Sequence, residues 1–414
     1  MRILWLKTEL LHPVDKGGRI RTYHMLRELK REHHITYLTL DDGDAAPDAM
    51  DKACEYAHEV VRIPYITAAK FSPRFYLELV RNLFSPLPYA LQKYRCEGFR
   101  SRLESLVASG KFDLLICDFL VPAVNVPAEL NVPKVLFQHN VEALIWRRHY
   151  EVSTGFAKKW FFRSQWRKMA AFEADACDRF DRVIAVSEED AELMRREYQV
   201  GNVSHVPTGV DTDYFQPVEQ GSPTNNIVFT GSMDWLPNDD AIRWFADSIL
   251  PLVREKVPDA SVTVVGRNPT DQLRGISSGD SAFMITGRVE DVRPYMERAA
   301  VYVVPIRIGG GTRLKIYEAM AMGLAIVSTT VGAEGLSVRD GENILLRDDP
   351  NAFAEAVIGL LTDREAAAAL GRAAARHVND HFSWAKVTRI FSRHCESVIP
   401  KTENARVSYN NRVF

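Results

Sequence analysis

Residues 305–323, PIRIGGGTRLKIYEAMAMG, join a run of glycines to two cations at the start of a helix. Gly309, Gly310 and Gly311 follow an apolar strand and lead through Thr312, Arg313 and Leu314 to Lys315. The first turn of a helix leaves backbone N–H groups unpaired and carries partial positive charge. Glycines cost conformational entropy but let a bulky anion approach that backbone closely. We read the junction as a diphosphate site. Its donors are the N–H groups of Gly311 to Leu314 and the side chains of Lys315 and Arg313. On a helical wheel Leu314, Tyr317, Met320 and Ala321 form an apolar stripe, with Lys315, Glu318 and Met322 opposite. Glu318 then lies about one turn beyond the phosphates, placed to accept from ribose hydroxyls. Arg313 falls on the wrong side of an ideal helix for this. The plainer alternative is a flexible loop and a weak Lys315–Glu318 surface pair. The run matches neither a Walker A loop nor a G-x-G-x-x-G fingerprint.

Three further groups are candidates. Gly17 and Gly18 lie between the first strand and the first helix, as an anion loop or as a simple turn. Arg19 and Arg21 read as solvated residues of that helix. His139 stands at a strand's carboxyl end, as a ligand contact or as a histidine opening the helix at Glu142. Glu334 reads as a cap or a solvent-facing residue. Asp42-Gly43-Asp44 mimics a metal-binding Asp-x-Asp but reads as a turn, being rich in turn formers. No metal cluster and no cofactor site is expected. The five cysteines, an odd number without C-x-x-C spacing, fit reduced thiols in a cytoplasmic protein.

These groups need a scaffold. A chain of 414 residues exceeds one hydrophobic core, so two domains are expected. Net charge is −2, which gives no general affinity for nucleic acid. No apolar run is long enough for a signal peptide or a membrane span. Short apolar runs without alternation mark strands covered on both faces: 2–6, 35–40, 59–63, 113–117, 134–138 and 182–187, then 227–231, 261–266, 283–287, 301–305, 325–329 and 343–347. Helical stretches between them imply crossovers and parallel sheets. The polar segment 210–226 reads as a linker. The expected fold is α/β, with two doubly wound Rossmann-like domains facing each other across a cleft. They span 1–210 and 226–380, with a helix at 384–400 returning to the first domain.

The segment 301–335, with EAMAMGLAIVSTTVGAEG, resembles the donor-binding half of retaining glycosyltransferases of the GT-B fold, family 4 (glycosyl transferases group 1). Five other segments resemble that family in the same order. They are PVDKGGRIRTYHMLREL, FQHNVE, VIAVSEED, VPTGVDTDYF and the pair VVGRNP and ITGRVEDV. Two positions depart from it. Many members carry two glutamates eight residues apart; Glu318 matches the second, but Gly310 stands at the first. Many also carry a basic pair after the first strand of the second domain, where this chain has GSMDWLPNDDAI. A subgroup from bacterial exopolysaccharide gene clusters looks similar in both respects, with Arg313 and Lys315 replacing that pair.

The resemblance implies a nucleoside-diphosphate sugar as donor and a saccharide or lipid-linked acceptor. It implies transfer with retention, without a covalent sugar–enzyme bond, the leaving phosphate taking the acceptor proton. It assigns Gly17, Gly18, Gly231 and Gly309 to donor binding, Arg288 to the neighbourhood of the base, and His139 to sugar contact. It also admits two rivals: a nucleotide-sugar 2-epimerase of the same fold, and a silent sugar-nucleotide binding protein. On the acceptor side, residues 154–172 set five cations among Trp160, Phe161, Phe162 and Trp166. Such a helix lies at a membrane surface, giving a peripheral cytoplasmic protein, or packs its aromatics into the first domain.

Overall fold

In the computed structural model the apolar runs become two parallel sheets. The structure describes residues 1–15, 17–41, 43, 45–217, 224–309 and 312–400. The chain separates into two compact units, Met1–Val206 with the segment from Thr388, and Pro207–Val387. The first sheet contains β1 (Arg2–Lys7), β2 (His34–Asp41), β3 (Glu59–Pro64), β4 (Leu114–Asp118), β5 (Lys134–Phe137), β6 (Arg182–Ala185) and β7 (Val203–His205), in the order β3-β2-β1-β4-β5-β6-β7. The second contains β8 (Asn226–Thr230), β9 (Ser261–Val265), β10 (Phe283–Ile285), β11 (Val301–Val304), β12 (Ile326–Ser328) and β13 (Leu345–Leu346), in the order β10-β9-β8-β11-β12-β13.

The central strands are buried on both faces, which is why they do not alternate. Ile3 to Lys7 of β1 are all buried; Ile3 pairs with Ile35 and Leu114, Leu6 with Leu38 and Cys117. The second core sets Ile227, Phe229, Val262, Val264, Val301 and Val303 against the helices that flank the sheet.

In each sheet the strand order reverses once, between β1 and β4 and between β8 and β11. Chain leaving two such neighbours departs to opposite faces, and a crevice opens beyond their carboxyl ends.

The structure departs locally from the sequence reading. Strand β7 was not expected, because three residues carry too little pattern. The first helix starts at Gly17 rather than Arg19. The start of the expected linker is packed: Val210 bridges Ser383, and a Cβ on Gly209 would meet the Trp384 ring at 2.5 Å. The final helix, Trp384–Glu396, buries Val387, Phe391 and Cys395 at four-residue spacing, and Phe391 meets Trp5 and Phe137.

Candidate functional site

Charged residues terminate both strands at the first switch point. Lys7 ends β1 and Asp118 ends β4, with side chains 2% and 0% exposed. A buried carboxylate is tolerated only when hydrogen-bonded and paired. Asp118 Oδ2 accepts from Lys7 Nζ at 2.8 Å, Thr22 Oγ1 at 2.7 Å and Trp5 Nε1 at 3.1 Å. Its Oδ1 lies 2.8 Å from His139 Nε2. Burial alone would raise the Asp118 carboxyl; the Lys7 ammonium and the His139 ring hold it well below the usual range.

His139 follows β5 and is stacked on Phe119, ring centroids 3.8 Å apart. Burial pushes its pKa down to about 4 against the pull of Asp118. The ring is therefore neutral near pH 7. With its proton on Nε2 toward the carboxylate, Nδ1 keeps a lone pair for a ligand hydroxyl. Glu173 anchors the segment that carries it. The Glu173 carboxylate accepts from the Glu142 and Ala143 backbone N–H groups at 2.9 Å each, from Gln138 Nε2 at 3.1 Å and from Tyr198 Oη at 2.6 Å. A carboxylate at a helix start complements the dipole there.

Gly18 is close to this cluster: a Cβ there would fall 2.7 Å from Phe119 Cζ. Gly17 has open space around it and no such steric reason to be glycine. Arg21 corrects an expectation. It is buried, not solvated, and burial lowers its pKa to about 10 while Asp118 and Asp190 draw it up. Arg19 is also tied down, through Glu9 at 2.5 Å. Helix Gly17–Lys30 packs this face inward, which its sequence alone does not announce.

A pH dependence follows from His139. Its folded pKa lies below the ordinary 6.5, so the unfolded chain binds the extra proton between those values. Its share of stability is whole above pH 6.5 and is lost as pH falls toward 4. Urea midpoints at pH 7 and pH 5 should show wild type losing on the order of 2 kcal/mol more than His139→Gln. An equal loss in both proteins would place the proton elsewhere.

In the second unit the glycine junction meets its helix as Leu314–Ala321, with Arg313 at the N-cap position. Gly310 and Gly311 lie outside the described residues. Lys315 Nζ donates to Asn238 Oδ1 at 3.0 Å and sits 4.1 Å from the Phe229 ring centroid. An amide oxygen and an aromatic face stabilise a cation without neutralising it. Burial pushes Lys315 down to about 7, with Glu318 opposing, and pushes Glu318 up to about 7, with Lys315 opposing. Both are half-buried, one turn apart on one side of the helix.

Arg313 is not on an open helix side. It is buried ahead of the helix, its guanidinium carbon 5.1 Å from the Trp235 ring centroid. Burial lowers its pKa while Glu334, which is exposed, draws it up. The wheel reading fails at two more positions. Met322 is buried and Leu314 half-buried, because Ile316 and Ala319 join Tyr317, Met320 and Ala321 in the core.

Two glycines make room for these cations. A Cβ on Gly231 would meet Lys315 Nζ at 2.6 Å, and one on Gly309, at φ 100°, would meet Pro237 Cγ at 2.9 Å. Thr312 Oγ1 stands 3.3 Å from where a Cβ on Gly335 would lie. Arg288 is exposed beyond Gly287, which bridges Gly266.

Lys7, Asp118, Thr22, Glu173 and Asn238 were missed in the sequence. A signal existed for two: RILWLK and DLLICD each end an apolar strand on a charge. Among the described residues no three His, Cys, Asp or Glu are grouped to hold a metal ion. No described helix is long and apolar enough to cross a membrane. The basic–aromatic stretch becomes the start of helix Phe156–Arg179. Phe161, Phe162 and Trp166 are half-buried there, while Trp160 and most of the cations are exposed.

Two family models match the chain: one described as Glycosyltransferase Family 4 over residues 16–214, one as Glycosyl transferases group 1 over 224–363. An uncharacterized 44.6 kDa protein in the cps region of Klebsiella pneumoniae is 22% identical over 86% of this chain and 90% of its own length. The phosphatidyl-myo-inositol mannosyltransferase of Mycobacterium tuberculosis is 31% identical over 47% of this chain, a match spanning 53% of that enzyme. Among solved structures, Anabaena Alr3699/HepE in complex with UDP and glucose aligns over 96% of this chain and all of its own. Its TM-score is 0.62 and its identity 12%, a likeness of fold.

Proposed function

The chain belongs to the group 1, family 4 glycosyltransferases of GT-B fold, and from that premise we propose that it transfers a sugar, with retention and without a metal ion, from a nucleoside-diphosphate sugar to a saccharide or lipid-linked acceptor in surface polysaccharide assembly. The observation that carries the reading is Lys315. A cation held by Asn238 and Phe229, at the start of a helix beyond the carboxyl ends of β8 and β11, is placed for a diphosphate. Negative charge grows on the β-phosphate as the bond to the sugar breaks. Fixed donors aimed at that charge are the main catalytic contribution. Glu318, one turn on, accepts from the ribose. Neutral His139 offers Nδ1 to a sugar hydroxyl, with Asp118 setting its tautomer. The departing phosphate takes the acceptor proton, so no pair of carboxylates of the glycosidase kind is needed. The bound UDP and glucose of the Anabaena protein support the donor class. The name of the mycobacterial relative and the cps location of the Klebsiella one support a lipid-linked or polysaccharide acceptor.

The test is incubation of the full chain with UDP-, GDP- and ADP-sugars in the presence of chelator. Acceptor glycolipids are present or absent, and product anomers are read by NMR. Acceptor-dependent transfer with the donor's anomeric configuration is expected. Sugar interconverted with donor alone would make the protein a 2-epimerase. Binding of nucleotide without turnover of any donor would make it a silent binding protein.

A further inference from the structure

Seven of the seventeen large apolar side chains that the described residues expose lie within residues 66–84. A globular surface scatters such groups singly; clustering marks an interaction face. The cluster centres on helix Pro73–Asn82, started by Ser72, whose hydroxyl accepts from the Phe75 backbone N–H. Tyr76, Leu77 and Val80 share one side of that helix, and each is at least half exposed. Phe71 precedes it and Phe84 follows it, 76% and 88% exposed. Little of the helix is covered: Asn82 is its one fully buried residue.

Cations surround the cluster. Arg74, Arg81 and Lys93 line a cavity of ≈200 Å³ beside the helix, with Glu78 and Tyr89. Glu78 is already engaged, by Arg74 Nε at 2.9 Å and Tyr89 Oη at 3.1 Å. Arg81 and Lys93 are thus left in excess over the one carboxylate. Burial, and after it the nearby Lys70 charge, lowers the Lys93 pKa. The helix is clamped at its end to Phe156–Arg179: Gln165 Nε2 donates to Asn82 Oδ1 at 2.9 Å and Lys168 Nζ to the Asn82 carbonyl at 2.6 Å. That second helix carries exposed Phe156 and Trp160 with Lys158, Lys159, Arg163 and Arg167.

We propose that this face of the first unit docks on an anionic bilayer. Phe71, Tyr76, Leu77, Val80 and Phe84 enter the boundary of the acyl chains, while Arg81, Lys93 and the cations of the second helix hold lipid phosphates. Apolar side chains rimmed by Lys and Arg are the combination that interfacial helices use, each nearby cation adding affinity for anionic headgroups. The proposal deepens the reading of a membrane-linked acceptor and relocates the contact from 154–172 alone to a two-helix face.

Co-sedimentation of the full chain with phosphatidylglycerol–phosphatidylcholine vesicles tests it, against pure phosphatidylcholine and without any donor. Wild type should bind the anionic vesicles and release them as salt rises. Leu77→Glu with Val80→Glu should lower partitioning by roughly tenfold or more. Arg81→Glu with Lys93→Glu should remove most of the preference for anionic over neutral vesicles. All four side chains lie at the surface or line the cavity. Nucleotide calorimetry and thermal melting of the same variants should therefore match wild type, which separates loss of docking from loss of fold or of the donor site. Wild type that ignores anionic vesicles, or variants that bind as well as wild type, would overturn the proposal. So would a dimer in sedimentation velocity that Leu77→Glu with Val80→Glu dissolves, since the face would then belong to a second copy of the chain.

Discussion

Lys315→Ala should weaken nucleoside-diphosphate binding by roughly tenfold or more and lower turnover by about 10²–10³. The larger effect on turnover follows from the charge: the ammonium meets more negative charge in the transition state than in the bound donor. Lys315→Arg should fail to rescue either quantity. The ammonium is packed so closely that a Cβ on Gly231 would touch it at 2.6 Å, and a guanidinium is wider and planar. The pH dependence has a definite sign. Burial pushes Lys315 down to about 7, and a diphosphate bound beside it would raise that value. Binding therefore takes up a proton above pH 7, and affinity falls as pH rises from about 7 to 9. Glu318, at about 7 through burial, gains negative charge over the same interval and pushes affinity the same way. Calorimetry of UDP, GDP and ADP at pH 7 and pH 9 measures both effects. Affinity indifferent to the substitution, or a pH dependence that survives it unchanged, would remove Lys315 from the donor site.

Lys315 was legible in the sequence and its partner Asn238 was not, and the difference is physical. A cation just after three glycines at a helix start is a local pattern, complete within seven residues. Asn238 lies 77 positions away, and only the pairing of β8 with β11 brings the two strand ends together. The same holds in the first unit. His139 was singled out because a histidine at a strand's end stands out; the Asp118 that lies 2.8 Å from its Nε2 comes from the neighbouring strand β4. The apolar runs announced nearly every strand, because strands buried on both faces must be apolar throughout. Burial of side chains along helices was read less well. Arg21 was read as solvated and Met322 was set opposite the apolar stripe, yet both are buried, since local sequence does not show which neighbours pack against a helix. The apolar helix 73–82 went unremarked for the same reason. Only the packing of PRFYLELVRN shows how little of it is covered.

Asp118→Ala should produce the largest loss of stability of any single substitution in the first unit's site, roughly 3–5 kcal/mol by urea unfolding at pH 7. The carboxylate accepts from three donors, and its removal strands the Lys7 ammonium in a position only 2% exposed. Asp118→Asn keeps the shape and some hydrogen bonds, so it should lose less, yet it still leaves Lys7 without a counter-charge. The decisive comparison is a cycle with Lys7→Met. Removing either charge alone leaves the other buried and unpaired. Removing both leaves a neutral amide beside an apolar methionine where an ion pair stood, with no unpaired buried charge, which proteins tolerate better. The double variant Lys7→Met with Asp118→Asn should therefore be more stable than the sum of the two single losses predicts, by about 1–3 kcal/mol. Simple additivity would mean that the two residues act independently despite their 2.8 Å contact. Activity should follow a different order. The double variant regains stability but not the carboxylate beside His139 Nε2, so turnover should stay low while nucleotide affinity, which the proposal assigns to Lys315, stays near wild type. That split between stability, binding and turnover would assign Asp118 to two jobs: neutralising Lys7 in the core and, through His139, presenting a lone pair to the sugar.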